Sequence, residues 1–405
     1  MHRLILLLCL WLLTTLFSAC NRPPEPPTIP PFYTETTSPK PATVEPASTL
    51  ANNSSISTPE TTTTLPYPGP VLQATVAYPY PYPGPLEATV IPYVAEPTSS
   101  PVGISLENLE PISVENSSEL NQIGQMIVYT DTAQVMSIDF SPDGNNLAFG
   151  NRDGKVYILS LSTGEVLNNL NVGLVEKLTY DPMGNYLAVG AASHIFLWEL
   201  NTWQTRIIPA HLGANRGLHS IAISPDGKLI VSCANDGRVR LWDAQTGGLV
   251  NAWFEPGVND VAFSPNGRMV ATAGGPTRLW DYESGLAYIT KSCPCDSVAI
   301  SPNGDILASG GRDYIVRLWD IKTGELLSKL KGPIGRIISL AFSPDGDILA
   351  AGGEGAVLLW QVETGELLTT IDGSGNSITF NPEGNLLAFP GHGMVVLYGV
   401  TSTGK

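Results

Sequence analysis

A proline-centred turn recurs seven times along the chain, and no other feature restricts the fold as strongly. The turn prolines are Pro142, Pro182, Pro225, Pro265, Pro302, Pro344 and Pro382, at spacings of 40, 43, 40, 37, 42 and 38 residues. The unit is clearest over residues 301–325. There Ser301-Pro302-Asn303-Gly304 reads as a tight turn: Pro presets φ, Asn tolerates the next position, and Gly supplies the left-handed residue that rejoins a strand. Val298 to Ile300 and Ile306 to Ala308 flank it as short strands. After the Gly310-Gly311-Arg312-Asp313 turn, the β-branched and aromatic run Ile315 to Trp319 suits a strand packed on both faces. Asp320 to Gly324 turns again, and Leu326 to Leu330 alternates as a half-buried outer strand.

One unit is therefore a four-stranded meander. A period of about 40 residues with four strands per copy is the signature of a propeller blade and not of a helical solenoid. The expected fold is all-β: a seven-bladed β-propeller of four-stranded antiparallel blades. Closure is also legible. The last copy runs Ser377 to Phe380, Leu386 to Phe389 and Met394 to Val400, then ends at Thr403-Gly404-Lys405 without a fourth strand. Upstream of the first copy, Gln125 to Tyr129 has apolar alternation and no blade of its own. We expect it to pair with Met394 to Val400, so that an N-terminal strand completes the last blade and leaves no open edge.

The copies resemble the WD-repeat family. Trp242-Asp243, Trp280-Asp281 and Trp319-Asp320 carry the dipeptide, while Trp198-Glu199 and Trp360-Gln361 are near versions. The resemblance covers roughly residues 120 to 405. It implies an interaction module with no single activity of its own, and in its third copy a structural network of His211, Ser232, Asp236 and Trp242. There an Asp accepting from His, which in turn holds Ser and Trp, would satisfy polar groups inside a blade. Ser, His and Asp together also invite a hydrolase reading, which the family setting disfavours because such an Asp orients a buried network. The other copies are incomplete in this network, and their blades are expected to rely on apolar packing.

The N-terminus has a different character. Met1-His2-Arg3 precedes an apolar run from Leu4 to Phe17, too short to span a bilayer comfortably and shaped like an export signal. Ser18-Ala19-Cys20 resembles the bacterial lipoprotein cleavage box, although Phe17 stands where Leu is usual. The resemblance implies removal of residues 1–19 and lipidation of Cys20, which would anchor the chain to the extracytoplasmic side of a cell membrane. An ordinary secretory signal or an uncleaved anchor is the alternative. Residues 20–119 carry most of the 34 prolines among Thr, Ser and Glu. Such a stretch cannot bury enough surface to offset its chain entropy, and it reads as a disordered tether. Residues 120–405 are the propeller.

A formal net charge of −16 disfavours nucleic-acid partners, which demand a basic footprint. In a meander, the first and third turns of each blade share one face of the ring, and the second turns and inter-blade loops share the other. The first face collects acids such as Asp143, Asp226, Asp345, Asp243 and Asp320. These read as turn residues before they read as a cation site, since no segment has the spacing of a calcium loop. The second face mixes acids with Arg152, Arg216, Arg238, Arg312 and Arg336, the candidate partner-binding set. Cys233 reads as a small buried residue. In Cys293-Pro294-Cys295 the single intervening residue would strain an internal disulfide, and nothing nearby completes a zinc site. No cofactor or metal motif and no catalytic motif is present. Two functions remain: a non-enzymatic, monomeric, lipid-anchored scaffold that binds protein partners, or a ligand-binding or hydrolytic propeller acting on an envelope polymer or metabolite. The second needs polar groups converging near the axis, and the sequence shows no such set.

Overall fold

The structure is a computed structural model that describes residues 108–127, 134–211, 217–332, 334–391 and 394–401. The export signal, Cys20 and most of the tether lie outside the described residues. Each proline turn joins the first two strands of a blade, and its glycine is left-handed in all seven copies, with φ between 69° and 84° at Gly144, Gly184, Gly227, Gly267, Gly304, Gly346 and Gly384. The residue before the proline ties the turn. Ser301 Oγ donates to Asn303 Oδ1 at 2.7 Å and accepts from Ile306 N at 2.9 Å. Ser224 with Asp226 and Ser343 with Asp345 repeat the arrangement. The acids of that face are therefore turn caps, and no cluster able to hold a metal ion occurs among the described residues.

Seven antiparallel sheets follow in chain order. Blades 1 to 6 span residues 135–171, 175–208, 218–254, 260–292, 295–330 and 337–372. Within each, the strand order follows the chain from the inner to the outer edge. Blade 7 takes Thr379–Phe380, Leu386–Pro390 and Met394–Thr401 from the C-terminal end, and Asn121–Ile127 from the N-terminal end. The closing register is antiparallel, with Gln125 opposite Val396, Met126 opposite Val395 and Ile127 opposite Met394. The expected closure is what the structure has.

Composition assigned residues 108–119 to the tether, and here the structure differs. Leu109–Glu110 extends the same edge, opposite Thr401 and Val400. Ile112 donates its N–H to Gly384 O at 2.8 Å and is 1% exposed among apolar side chains of blades 6 and 7. The burial of Ile112 contributes roughly 2–3 kcal/mol, and together with the strand pairing of Leu109–Glu110 and the packing of Val114 and Leu120 it offsets the entropy lost in ordering the segment.

The core is divided as a ring requires. Among the described residues there are seven apolar clusters, each shared by two consecutive blades. One of them joins blade 7 to blade 1 through Leu386, Val395, Val135 and Leu147. Second strands are packed on both faces, and the fully buried Ala308, Ala350 and Ala351 allow sheets to approach closely. Outer strands alternate exposed and half-buried residues. Hydrogen bonds between inner strands run round the axis as well. Ser137 Oγ accepts from Leu178 N, Ser339 Oγ from Ile378 N, and Ser377 Oγ from Ile138 N, which ties blade 7 back to blade 1.

Candidate binding site at the axial mouth

The inner strands carry a shared irregularity that aims side chains at the axis. The register shifts in blades 1, 2, 3, 5 and 6 each leave one residue unpaired: Met136, Glu176, His219, Asp296 and Ile338. All five lie six positions before the turn proline, where blades 4 and 7 carry Asn259 and Asn376. A bulge re-aims its extra residue, so these positions, mostly half-buried, surround the mouth of the ring. The mouth lies on the face of the second turns, because the backbones are joined there. Arg152 N donates to Gln134 O, Arg312 N to Pro294 O, and Glu354 N to Arg336 O. Polar groups thus converge near the axis, which the sequence had not revealed. The signal was present as a fixed offset from each proline, but single residues of unlike type at that offset form no motif until a bulge places them side by side.

The charges at the mouth are organised around Asp296, whose side chain is 5% exposed. Its Oδ2 accepts from Nε of Arg336 at 2.8 Å and from Nε of Arg312 at 3.2 Å, and its Oδ1 accepts from Asn259 Nδ2 at 2.8 Å. Two blades thereby contribute cations to one buried carboxylate, and a third contributes an amide. A carboxylate removed from water persists only when paired in this way. The arginines keep side-chain exposures of 64% (Arg312) and 41% (Arg336). Arg312 also walls a cleft of about 340 Å³ with Gly257, Asn259, Gly274, Gly275 and Pro294. Gly274 is obligatory there, since a Cβ would lie 1.9 Å from Gly257 O. Elsewhere around the mouth, burial raises the Glu176 carboxyl above its ordinary value, opposed by the nearby His219 and Arg152.

The five candidate arginines therefore divide. Arg312 and Arg336 meet on Asp296, Arg152 lies near Glu176, Arg238 is exposed at the start of the third strand of blade 3, and Arg216 lies outside the described residues.

Inside blade 3, the structure brings His211, Ser232, Asp236 and Trp242 together. Ser232 Oγ is 2.8 Å from His211 Nε2 and accepts from Trp242 Nε1 at 2.8 Å. His211 Nδ1 is 3.2 Å from each Asp236 oxygen. Arg240 joins them: its Nη1 donates to Asp236 Oδ2 at 2.6 Å and also touches His211 Nδ1. Burial is the main reason the imidazole is depressed to about 4, with Arg240 adding to it and Asp236 opposing it. The histidine is fully buried, and the group is an internal brace with no exposed nucleophile.

Blade 4, expected to rely on apolar packing, instead has its own version. Glu255, 1% exposed, accepts from Thr272 Oγ1 at 3.0 Å, Trp280 Nε1 at 2.9 Å and Arg278 Nη1 at 2.7 Å. Glu255 ends the region where blade 3 hands over to blade 4, as His211 does between blades 2 and 3. A search for His overlooks it, although any long acceptor there suffices. Blade 5 keeps Trp319 Nε1 to Ser309 Oγ at 2.9 Å and Arg317 Nη2 to Asp313 Oδ2 at 2.6 Å, without the histidine between them. In blades 1 and 7 the Ser position holds Phe149 and Phe389, stacked on Tyr157 at 5.1 Å and on Tyr398 at 5.3 Å. Blades 2 and 6 hold the buried Val189 and Ala351 at that position, so all four blades pack it with apolar side chains. Contrary to expectation, Cys293 and Cys295 form a disulfide, nearly buried beside Thr277, and Cys233 is free and buried.

Residues 203–243, 251–281, 288–320 and 324–361 match the family model described as WD domain, G-beta repeat. Residues 118–174 match the anaphase-promoting complex subunit 4 WD40 domain. Among curated relatives, the chain is 25% identical over 229 residues to periodic tryptophan protein 2 homolog of Caenorhabditis elegans, covering 52% of this chain and 24% of that protein. It is 27% identical over 227 residues to periodic tryptophan protein 2 of Saccharomyces cerevisiae, with 52% and 24% covered. It is also 27% identical over 223 residues to telomerase protein component 1 of Mus musculus, with 52% and 8% covered. The matched part spans a quarter or less of these relatives, so the likeness concerns the repeats. The matched repeats lie inside a closed ring of seven four-stranded blades, so residues 203–361 carry WD40 repeats within a seven-bladed β-propeller.

Proposed function

We propose that the protein is a non-enzymatic scaffold that binds protein partners through the face carrying the axial mouth, and that lipid on Cys20 holds it at the outer side of a cell membrane. The observation that carries the binding part is the mouth itself: unlike side chains from several blades, aimed by bulges and rimmed by exposed arginines on a rigid ring. Binding residues set on loops over a rigid scaffold are the usual arrangement for recognition. The anchoring part is supported by Ser18-Ala19-Cys20 behind an apolar run and by the Pro-rich stretch that follows. No helix among the described residues is long and apolar enough to cross a membrane.

The test uses the full chain expressed in its native cell. In-cell cross-linking should recover a stoichiometric protein, and charge reversal at Arg312 and Arg336 should lose it. Cys20→Ala should abolish incorporation of labelled fatty acid into the chain and leave the leader uncut. The alternative, a propeller acting on an envelope polymer or metabolite at the axis, gains one specific observation in the cleft beside Arg312. Turnover of an envelope substrate with no recovered partner would establish it in place of the scaffold.

A further inference from the structure

The geometry points to a carboxylate-binding site at Arg312 and Arg336, which recognises an acidic side chain of the partner; this rests on the scaffold reading above and names the partner's chemistry. Asp296 takes only Nε from each guanidinium, and it takes both on a single oxygen. Among the described residues neither arginine makes another side-chain hydrogen bond. The Nη edges of two guanidiniums, the edges that match a carboxylate in a two-bond fork, therefore remain available from adjacent blades. Their stems are held, because Asp296 is buried and braced by Asn259 as well. A held guanidinium loses little rotamer freedom on binding, which is the condition for affinity from few contacts.

Charge selects the ligand. Two guanidiniums around one buried carboxylate leave one positive charge in excess. A single carboxylate neutralises it, whereas a doubly charged phosphate would put surplus negative charge beside Asp296, where low local polarity magnifies repulsion. Glu354, in the turn bonded to Arg336 through its backbone, is exposed and bonded to neither arginine among the described residues. Apart from Arg312, the cleft of about 340 Å³ is walled by glycines, a proline and Asn259. Those walls carry no competing charge, and the space suits a side chain with its flanking backbone.

Calorimetry on the full chain tests this with three probes: an acetylated, amidated hexapeptide of alternating Glu and Gly, its Gln counterpart, and the same peptide with phosphoserine for Glu. The Glu peptide should bind and the Gln peptide should not. Arg312→Ala and Arg336→Ala should each weaken the Glu peptide roughly tenfold or more, since each removes one member of a charged pair. Each single variant leaves Asp296 one arginine and Asn259, and an unchanged melting temperature verifies the fold. Arg312→Lys, which keeps the charge without the fork, should recover only part of the loss. No binding of the Glu peptide, equal binding by wild type and both alanine variants, or tighter binding of the phosphoserine peptide overturns the site. If the peptide fails while cross-linking still recovers a stoichiometric partner, the carboxylate assignment falls alone. If no partner is recovered by any variant, the scaffold reading falls with it.

Discussion

Ser232 Oγ holds two buried groups at 2.8 Å, Trp242 Nε1 and His211 Nε2, so its loss strands both. Ser232→Ala should cost about 2–3 kcal/mol in urea unfolding, because unsatisfied buried polar groups cost more than the bonds they formed. Glu255 serves three donors in the same way. Glu255→Ala should cost about 3 kcal/mol or more, since it leaves the Arg278 cation without its buried partner. The histidine makes the brace pH-sensitive. Its folded value is about 4, below the ordinary 6.5, so between these values the unfolded chain binds the extra proton. Stability from this group is complete above about pH 6.5 and declines as pH falls toward 4, by on the order of 3 kcal/mol. Urea midpoints measured from pH 7 to pH 4 should fall accordingly, and His211→Gln should flatten that slope. At this scale the sequence disclosed the brace of blade 3 through its family pattern. It did not disclose Glu255, because an acceptor is defined by where its oxygens reach and not by residue type.

Strands decide whether the ring has an edge. Asn121–Ile127 covers the flank of Met394–Thr401, and without it a row of unpaired N–H and C=O groups would face solvent beside an apolar strand. A chain starting at residue 134 should therefore melt at lower temperature than one starting at 108 and should self-associate in light scattering at matched concentration. A chain starting at 118 keeps that strand but loses Ile112, and should fall between the two, lower than the longer chain by about 2–4 kcal/mol in unfolding free energy. The strands and the closing pair were readable because alternation and a missing fourth strand are local patterns. The segment before Asn121 was not, since its polar composition conceals one isoleucine whose burial depends on the distant Gly384 turn.

In the whole molecule, Asp260 links three blades. It accepts from Ser220 Oγ of blade 3 at 2.7 Å, and from Ser297 Oγ at 2.9 Å and Val298 N at 3.1 Å of blade 5. Asp260→Ala should destabilise the entire ring by about 2–4 kcal/mol, and circular dichroism and tryptophan fluorescence should still report one coincident transition, because every blade shares its core with two neighbours. Two separate transitions would show that the blades melt independently. The sequence by itself determined the number of blades, the order of strands and the closure of the ring, because each follows from period, turn chemistry and alternation within some 40 residues. Only the tertiary structure decided what meets at the axis. Met136, Glu176, His219, Asp296 and Ile338 are tens of residues apart, and a bulge in each of their inner strands turns them to one mouth. The pairing of Arg312 and Arg336 on one buried carboxylate depends on distances between blades, which no local pattern encodes.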